Sequence, residues 1–331
     1  MEDNNIENEA SFESRIDLTE LSESVTAMKA EIGKVLVGQH AVVDMLITGI
    51  LANGHILLEG VPGVAKTLTA KLFAKVLKVG FSRVQFTPDL MPSDVLGTSV
   101  YNMKENDFEF KAGPVFSNVI LIDEINRAPA KTQAALFEVM EERQVTVDGE
   151  TRKMKDPYLV LATQNPVEQE GTYRLPEAQL DRFLFKLSVD YPSLDDEVAI
   201  LTNYNDNQDV MDLNQVKSVL TPKAIKKYKE LVSQVHVEKE LLQYIARVVT
   251  QTREHPSLYL GASPRASVAI LATAKAFAAI NGRDFVTPED IKFMASPVMR
   301  HRVILTPESE MEGTSADEVI KEIVDKVEVP R

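Results

Sequence analysis

The stretch EGVPGVAKT, residues 59–67, nearly matches the phosphate-binding loop pattern G-x-x-x-x-G-K-[ST]. In such a loop the lysine, here Lys66, neutralises the β- and γ-phosphates, and the hydroxyl of Thr67 binds Mg²⁺. Ala65 stands where the pattern has its second glycine, and we expect it to take a right-handed backbone with negative φ. A relaxed pattern of this kind also arises by chance, so its surroundings must decide. The candidate nucleotide-binding residues of the loop are Gly60, Val61, Pro62, Gly63, Val64, Ala65, Lys66, Thr67 and Leu68.

Two carboxylates, Asp123 and Glu124, end the apolar run VILI at residues 119–122. Nucleotide sites of α/β sheets open at the carboxyl ends of strands, so the pair would lie beside the phosphate loop. Asp123 would hold Mg²⁺, largely through water, and Glu124 would orient or deprotonate the attacking water. Alone, such a pair is more simply a solvated strand end. With a phosphate loop earlier in the chain, it indicates hydrolysis of a nucleoside triphosphate.

The elements that must position these residues follow one another as strand, loop and helix. The apolar run HILL at 55–58 precedes the loop, and the segment after the loop has the apolar period of a helix. Further strands are expected at 83–86, 119–122 and 158–162, with helices between some of them. This order predicts an α/β fold with a parallel sheet, the core of a P-loop nucleoside triphosphatase.

The rest of the chain divides around that core. Residues 1–15 are polar and acidic, and we expect a disordered tail. Residues 16–192 would form the α/β nucleotide-binding core, and its first two elements would be helices. Residues 193–331 would form an all-helical lid domain without strands. Its helices are expected near 195–207, 221–235, 238–254, 264–281 and 288–302.

Composition restricts the function classes. The 331 residues carry a net charge of −14, which opposes nucleic-acid binding unless a local basic groove overrides it. The absence of cysteine excludes disulfide scaffolds and thiolate metal sites. No apolar run approaches the ~20 residues that span a bilayer, and the acidic start is unlike a signal peptide. We expect a cytoplasmic protein that does not insert into membranes.

The order of the segments GVPGVAKT, VILIDEINRAP, LATQNP, LPEAQLDRF and GASPRA resembles the MoxR family of AAA+ ATPases, over residues 35 to 302. Many loops of that family carry alanine before the lysine, so Ala65 is a variant rather than decay. The resemblance implies an ATPase that uses ATP and Mg²⁺ and works as a ring, expected to be a hexamer. It also implies chaperone-like maturation of client complexes, or insertion of a metal or cofactor into them, often with a von Willebrand factor A-domain partner.

The resemblance also assigns roles to polar residues outside the loop and the strand tip. Asn165 would be the polar sensor that helps hold the attacking water, where an Asn-Pro turn alone would only end a strand. Residues Val37, Gly38 and Gln39 would lie beside the adenine. On their own they would be an ordinary turn between helices.

Two arginines receive roles in the same way. Arg182 would be the arginine finger that reaches a neighbouring subunit's nucleotide, with Arg174 as the second choice. The alternative for Arg182 is a surface ion pair with Asp181 or Glu177. Arg265 would be the second sensor, carried by the lid onto the nucleotide; the alternative is a solvated arginine in the first turn of a helix.

Two hairpins interrupt the α/β order. One is expected around residues 99–111, and the other pairs 144–147 with 150–153 across Asp148-Gly149, a strong two-residue turn signal. In related ring ATPases such hairpins face the pore or the client. Other functions remain open at this point: a magnesium-chelatase-like or DNA-remodelling ring motor, a small-molecule kinase, or a nucleotide-binding scaffold with little turnover.

Overall fold

The computed structural model describes residues 16–61, 63–165, 173, 175–206 and 213–330. The expected tail at 1–15, Pro62 of the loop and Arg174 lie outside the described residues. The strands are β1 (His55–Glu59), β2 (Phe81–Gln85), β3 (Gly97–Asn102), β4 (Asp107–Ala112), β5 (Val119–Asp123), β6 (Gln144–Val147), β7 (Glu150–Lys153), β8 (Leu159–Gln164), β9 (Phe183–Ser188), β10 (Leu258–Leu260) and β11 (Ile304–Leu305). The helices are α1 (Thr19–Gly33), α2 (His40–Leu51), α3 (Lys66–Val76), α4 (Pro92–Leu96), α5 (Ala130–Glu142), α6 (Glu177–Leu180), α7 (Leu194–Asp206), α8 (Pro222–Gln234), α9 (Lys239–Gln251), α10 (Pro264–Ile280), α11 (Pro288–Met299), α12 (Pro307–Met311) and α13 (Ala316–Lys326).

Five strands form one parallel sheet in the order β2-β5-β8-β1-β9. Its central strands are short apolar runs, and every residue of β5 is buried, as expected for a parallel sheet covered by helices on both faces. Side chains alternate between the two faces: Val119 and Leu121 enter one apolar cluster, and Ile120 and Ile122 enter the other. The expected α/β core with a parallel sheet is confirmed.

The helical layers explain how the lid is attached. Helices α1, α2 and α3 share the cluster of Val119 with the helices of the lid, whereas α4 and α5 cover the face of Ile120. Helix α10 packs on α2, and α11 packs on β9. The lid therefore rests on the same side of the sheet as the N-terminal helices. No helix in the described ranges is long and apolar enough to cross a bilayer.

The register of β1 and β9 fixes where the polar residues emerge. His55 pairs with Phe183, and Glu59 pairs with Ser188. Because the strands are parallel, the carboxyl ends of β1, β5 and β8 open on one edge of the sheet, which we call the loop edge. The residue just before β9 lies beside His55, at the opposite edge.

Several details differ from the sequence-based expectations. Both hairpins form, as β3–β4 and β6–β7. The expectation of a strand-free lid is wrong, because β10 and β11 pair antiparallel; strands of three and two residues are too short to give a periodic signal. Strand β9 and helix α13 were not predicted. The division of the chain at 192 and 193 stays a prediction, with α7 beginning at Leu194.

Candidate functional site

The phosphate loop lies between the end of β1 and the start of α3. Lys66 is the first residue of α3, and its Nζ donates to the carbonyl oxygen of Gly60 at 2.5 Å. Gln39 hydrogen-bonds both the loop and helix α3. Its Nε2 donates to the carbonyl oxygen of Val64 at 2.7 Å, and its Oε1 accepts from Thr69 Oγ1 at 3.1 Å. These bonds shape the loop from within the chain.

The expectation of a right-handed Ala65 is wrong. Its φ is 57° and its ψ 21°, which is the left-handed region. Helix α3 begins at the next residue, and the carbonyl oxygen of Ala65 accepts from the backbone N of Thr69 at 2.9 Å and from its Oγ1 at 3.0 Å. The chain must turn sharply to enter the helix there. Glycine adopts that conformation freely, while alanine adopts it at about 1–2 kcal/mol.

A cleft of about 510 Å³ opens on the loop edge. Lys66 and Thr67 line it from α3, Asp123 and Glu124 from the end of β5, and Asn165 from the end of β8. The residues to which the sequence assigned the chemistry therefore meet in one cavity, although they come from three separate segments. The remaining lining residues are Gly63, Val64, Ala65, Leu68, Lys71, Arg83, Gln85, Thr163 and Leu213.

Asp123 is held by two side chains from the neighbouring strands. The Nε of Arg83, on β2, lies 2.6 Å from Asp123 Oδ2. Thr163, on β8, donates its hydroxyl to Asp123 Oδ1 at 3.2 Å and accepts the backbone N–H of Glu124 at 3.0 Å. Thr163 thereby fixes the turn on which both carboxylates stand.

Glu124 occupies a left-handed turn directly after β5, with φ 56°. Its Oε2 accepts from Gln85 Nε2 and from an Nη of Arg127, each at 2.8 Å. Both donors meet the same carboxylate oxygen, which orients Glu124 at the rim of the cleft.

Sequence reasoning missed Arg83, Gln85 and Thr163 as cleft residues and Arg127 as a partner of Glu124. A signal existed for Arg83 and Gln85, since alternate residues of a strand face the same side. It becomes readable only once β2 is known to lie beside β5, with Gln85 opposite Asp123. The order of strands in the sheet is a tertiary fact that local patterns do not carry.

The donor set of the cleft fits a magnesium nucleotide. Magnesium takes oxygen ligands, keeps several waters and is usually held by one or two protein carboxylates together with substrate phosphates. The cleft offers the hydroxyl of Thr67 and the carboxylate of Asp123. Lys66 and the N-terminus of α3 add the positive charge that attracts a triphosphate.

Arg182 and Arg265 lie outside the cleft and close to each other. We call the surface that carries these two side chains the arginine face. An Nη of Arg182 donates to the carbonyl oxygen of Phe137 at 2.8 Å and lies 3.7 Å from Glu141 Oε2. An Nη of Arg265 donates to Glu141 Oε1 at 3.0 Å. Glu141 thus contacts both arginines, and all three residues line a second cavity of about 560 Å³.

The structure places Arg265 differently from the expectation that the lid carries it onto the chain's own nucleotide. Helix α10 begins at Pro264, against the residues that precede β9. Ser263, which directly precedes the helix, donates its hydroxyl to Asp181 Oδ2 at 3.3 Å. The ion pair of Arg182 is with Glu141 rather than with Asp181 or Glu177. Both arginines therefore stand at the edge of the sheet opposite to the loop edge.

The segment expected beside the adenine precedes α2. Gly38 has φ 78°, and a Cβ added there would lie 2.5 Å from Asp196 Cγ of α7. Gln39 touches the loop through Val64, whereas a contact of Val37 or Gly38 with a base stays a prediction.

Comparisons with known proteins agree with this fold. Residues 55–185 match the model of the ATPase family associated with various cellular activities (AAA), and residues 250–323 match the AAA lid domain. The chain is 44% identical to Chaperone MoxR1 of Mycobacterium tuberculosis over 91% of this chain and 81% of that protein. It is 46% identical to the uncharacterised protein YeaC of Bacillus subtilis, over 90% of this chain and 92% of that one. The crystal structure of an ATPase candidate from Cytophaga hutchinsonii superposes with a TM-score of 0.87 at 43% identity, over 94% of this chain and 96% of that chain.

Proposed function

Since the chain belongs to the MoxR family of AAA ATPases, we propose that it hydrolyses ATP with Mg²⁺ and uses the cycle for chaperone-like work on client protein complexes. The observation that carries the proposal is the shared cleft. It brings Lys66 and Thr67 of the loop together with Asp123, Glu124 and Asn165, and these residue types match the needs of triphosphate hydrolysis.

Each residue of the cleft has a task in that reaction. Lys66 would bind the β- and γ-phosphate oxygens in the cleft that it shares with Asp123 and Glu124. Glu124 accepts a proton from the attacking water, and Asn165 orients that water. Thr67 and Asp123 would hold Mg²⁺, which when bound would neutralise charge on the phosphates.

The arginine face requires a second subunit. Strand β1 has five residues, and four rises of about 3.3 Å separate its first and last residues by roughly 13 Å. Arg182 stands beside the His55 end, while the loop follows the Glu59 end. That distance exceeds the reach of an arginine side chain. Arg182 and Arg265 therefore serve the cleft of a neighbouring copy, and such head-to-tail contacts close into a ring, expected to be a hexamer.

Replacing Glu124 tests the enzyme proposal. We expect Glu124→Gln to bind ATP as the wild type does but to release phosphate about 10²- to 10⁴-fold more slowly, the contribution of a positioned general base. Glu138→Gln is the matched control, because Glu138 is an exposed glutamate on α5 outside the cleft. If neither wild type nor Glu124→Gln releases phosphate at high protein concentration, the enzyme proposal fails and a nucleotide-binding scaffold is favoured. Equal and measurable release by both would instead refute the role of Glu124.

Mixing subunits tests the ring. Arg182→Ala has an intact cleft, and Glu124→Gln has an intact arginine face. Each should be nearly inactive alone, and a mixture should regain activity wherever the cleft of Arg182→Ala meets the arginine of Glu124→Gln. A mixture no more active than its components would refute the action of Arg182 on a neighbour.

The client and partner parts of the proposal rest on the family resemblance. We propose a client protein complex, a von Willebrand factor A-domain partner and a cytoplasmic location. Glu124→Gln with ATP should retain clients that Lys66→Ala, which cannot hold the triphosphate, releases. Identical sets of proteins captured by the two variants would argue against client binding driven by ATP.

A further inference from the structure

A buried arginine of the lid, Arg302, grips the chain at the start of β9. Only 4% of its side chain is exposed, and its Nε lies 2.6 Å from Asp181 Oδ1. One Nη donates to the carbonyl oxygens of Asp181 at 3.1 Å and Phe183 at 2.6 Å. The other donates to the carbonyl oxygen of Leu184 at 3.2 Å and to that of Val298. All three nitrogens of the guanidinium are therefore bonded.

The acceptors bracket Arg182. Asp181 precedes it, and Phe183 and Leu184 follow it, so one rigid, planar group from the lid fixes the backbone on both sides of the arginine finger. A buried cation is stable only when a charge and hydrogen bonds compensate it. Arg302 thus depends on this segment, and the segment takes its shape from Arg302.

Asp181 extends the contact to the second arginine. Its Oδ1 meets Arg302, and its Oδ2 accepts from the hydroxyl of Ser263, which directly precedes α10. Arg265 is the second residue of that helix. One carboxylate therefore joins Arg302 to the segments that carry Arg182 and Arg265.

We propose that Arg302 is a positioning residue for Arg182. It holds the arginine face of its own subunit in the geometry that a neighbour's ATP requires. The inference rests on the proposed function, since it presumes that Arg182 acts on a neighbouring cleft. It assigns the lid a task at the interface: because Arg302 bonds Val298 of α11, a shift of α11 would carry Arg302, and with it the finger, relative to the neighbour.

The variant Arg302→Gln separates this role from a defect in the chain's own cleft. Because a misplacement of about 1 Å can cost 10²-fold in rate, we expect kcat to fall by up to about 100-fold. The affinity for a fluorescent ATP analogue should stay within about twofold of the wild type, as the cleft lies at the other edge of the sheet. Arg300→Gln is the matched control: Arg300 also follows α11 and is also ion-paired, but it bonds Asp317 and Ser188.

Mixing with Glu124→Gln decides between positioning and simple destabilisation. Since a head-to-tail ring pairs each cleft with one neighbour, random mixing of equal amounts combines a working cleft with a working arginine face at about a quarter of the interfaces. The mixture should regain about that fraction of wild-type activity. If Arg302→Gln does not fold, as judged by circular dichroism, Arg302→Lys takes its place, because lysine keeps the charge but cannot reach all the acceptors.

The outcomes separate the two proposals. Rescue of the Arg302 variant by Glu124→Gln supports the positioning role. The positioning role is overturned if the Arg302 variant alone has wild-type activity. It is also overturned if the Arg302 variant folds and joins rings but is not rescued by Glu124→Gln. In either case, rescue of Arg182→Ala leaves the ATPase proposal intact. If Arg182→Ala is itself fully active or is not rescued, the ring mechanism fails instead.

Discussion

Arg83 forms an ion pair with Asp123, with Arg83 Nε 2.6 Å from Asp123 Oδ2. Asp123 is also the carboxylate that would bind a metal in the cleft. The arginine side chain is 48% exposed and the aspartate side chain 10% exposed. Arg83 can therefore swing into solvent, whereas Asp123 stays in place at the end of β5. The pair must open before Oδ2 of Asp123 is free to bind a cation. Arg83 thus competes with metal in the nucleotide-free cleft.

Removing Arg83 should tighten metal binding in the absence of nucleotide. A partly exposed ion pair contributes up to about 1 kcal/mol, so Arg83→Met should raise Mn²⁺ affinity by about two- to fivefold. Electron paramagnetic resonance of free Mn²⁺ in a titration measures this directly. Arg127→Met is the control, because Arg127 pairs with Glu124 rather than with Asp123. Equal Mn²⁺ affinities of the wild type and both variants would show that the Arg83 pair does not restrain the site.

Replacing Ala65 by glycine should stabilise the protein. Glycine carries no penalty in the left-handed conformation that Ala65 adopts, and we expect about 1 kcal/mol more free energy of unfolding in urea titrations. Ala70→Gly should do the opposite by about 1 kcal/mol, since Ala70 lies inside α3. If both variants lose stability equally, the strain at Ala65 is not real.

Lys66, Asp123 and Asn165 were predictable as cleft residues because each stands at the end of an apolar strand or shortly after it. The run before Lys66 and the run before Asp123 are buried strands of one parallel sheet, and such strands deliver their ends to one edge. Once the strands were identified, the meeting of Lys66 and Asp123 followed from the parallel order, whereas the resemblance to the MoxR family was needed to select Asn165.

The expectations that failed depended on tertiary geometry. Residue preference favoured a right-handed Ala65, but the turn into α3 imposes its own conformation on whatever residue stands there. The placement of Arg265 depends on which side of the sheet the lid packs, and that is decided by the shared core of α1, α2 and α10. No local pattern in the sequence records that choice.

His55 should make the fold sensitive to acid. Its Nδ1 accepts the backbone N–H of Val160 and its Nε2 donates to the carbonyl oxygen of Met140, each at 3.0 Å. Complete burial lowers the pKa of His55 from 6.5 to about 4, and the positive charge of Arg143 is the second largest cause. The unfolded chain therefore binds a proton below about pH 6.5, while the native state resists it down to about pH 4. The stabilisation is complete above pH 6.5 and is lost as the pH falls.

Urea titrations of the wild type at pH 7 and pH 5 measure this effect. His55 should account for a loss of about 2 kcal/mol in the free energy of unfolding between these two values. The glutamine of His55→Gln cannot titrate. Between pH 7 and pH 5 the free energy of unfolding of this variant should therefore fall by about 2 kcal/mol less than that of the wild type. At pH 7 the variant should be less stable than the wild type. The buried His301 remains in both proteins, and its contribution cancels in the comparison. Parallel losses in wild type and variant would contradict the assignment.

Gly38 should be intolerant of a side chain for two separable reasons. Its φ of 78° lies in the left-handed region, and a Cβ would stand 2.5 Å from Asp196 Cγ. Gly313 also has φ 78°, but open space surrounds its added Cβ. Gly313→Ala therefore reports the backbone strain alone, about 1–2 kcal/mol, while Gly38→Ala reports the strain and the collision.

The collision should reach the nucleotide, because Gly38 adjoins Gln39, which bonds the phosphate loop at Val64. We expect Gly38→Ala to weaken binding of a fluorescent ATP analogue, and Gly313→Ala to leave it unchanged. Asp196→Ala removes the atoms that a Cβ at residue 38 would strike. Combined with Gly38→Ala in a double-mutant cycle, it should therefore restore part of the affinity. Strictly additive losses in that cycle would mean that the effect of Gly38 on the nucleotide runs through its backbone rather than through Asp196.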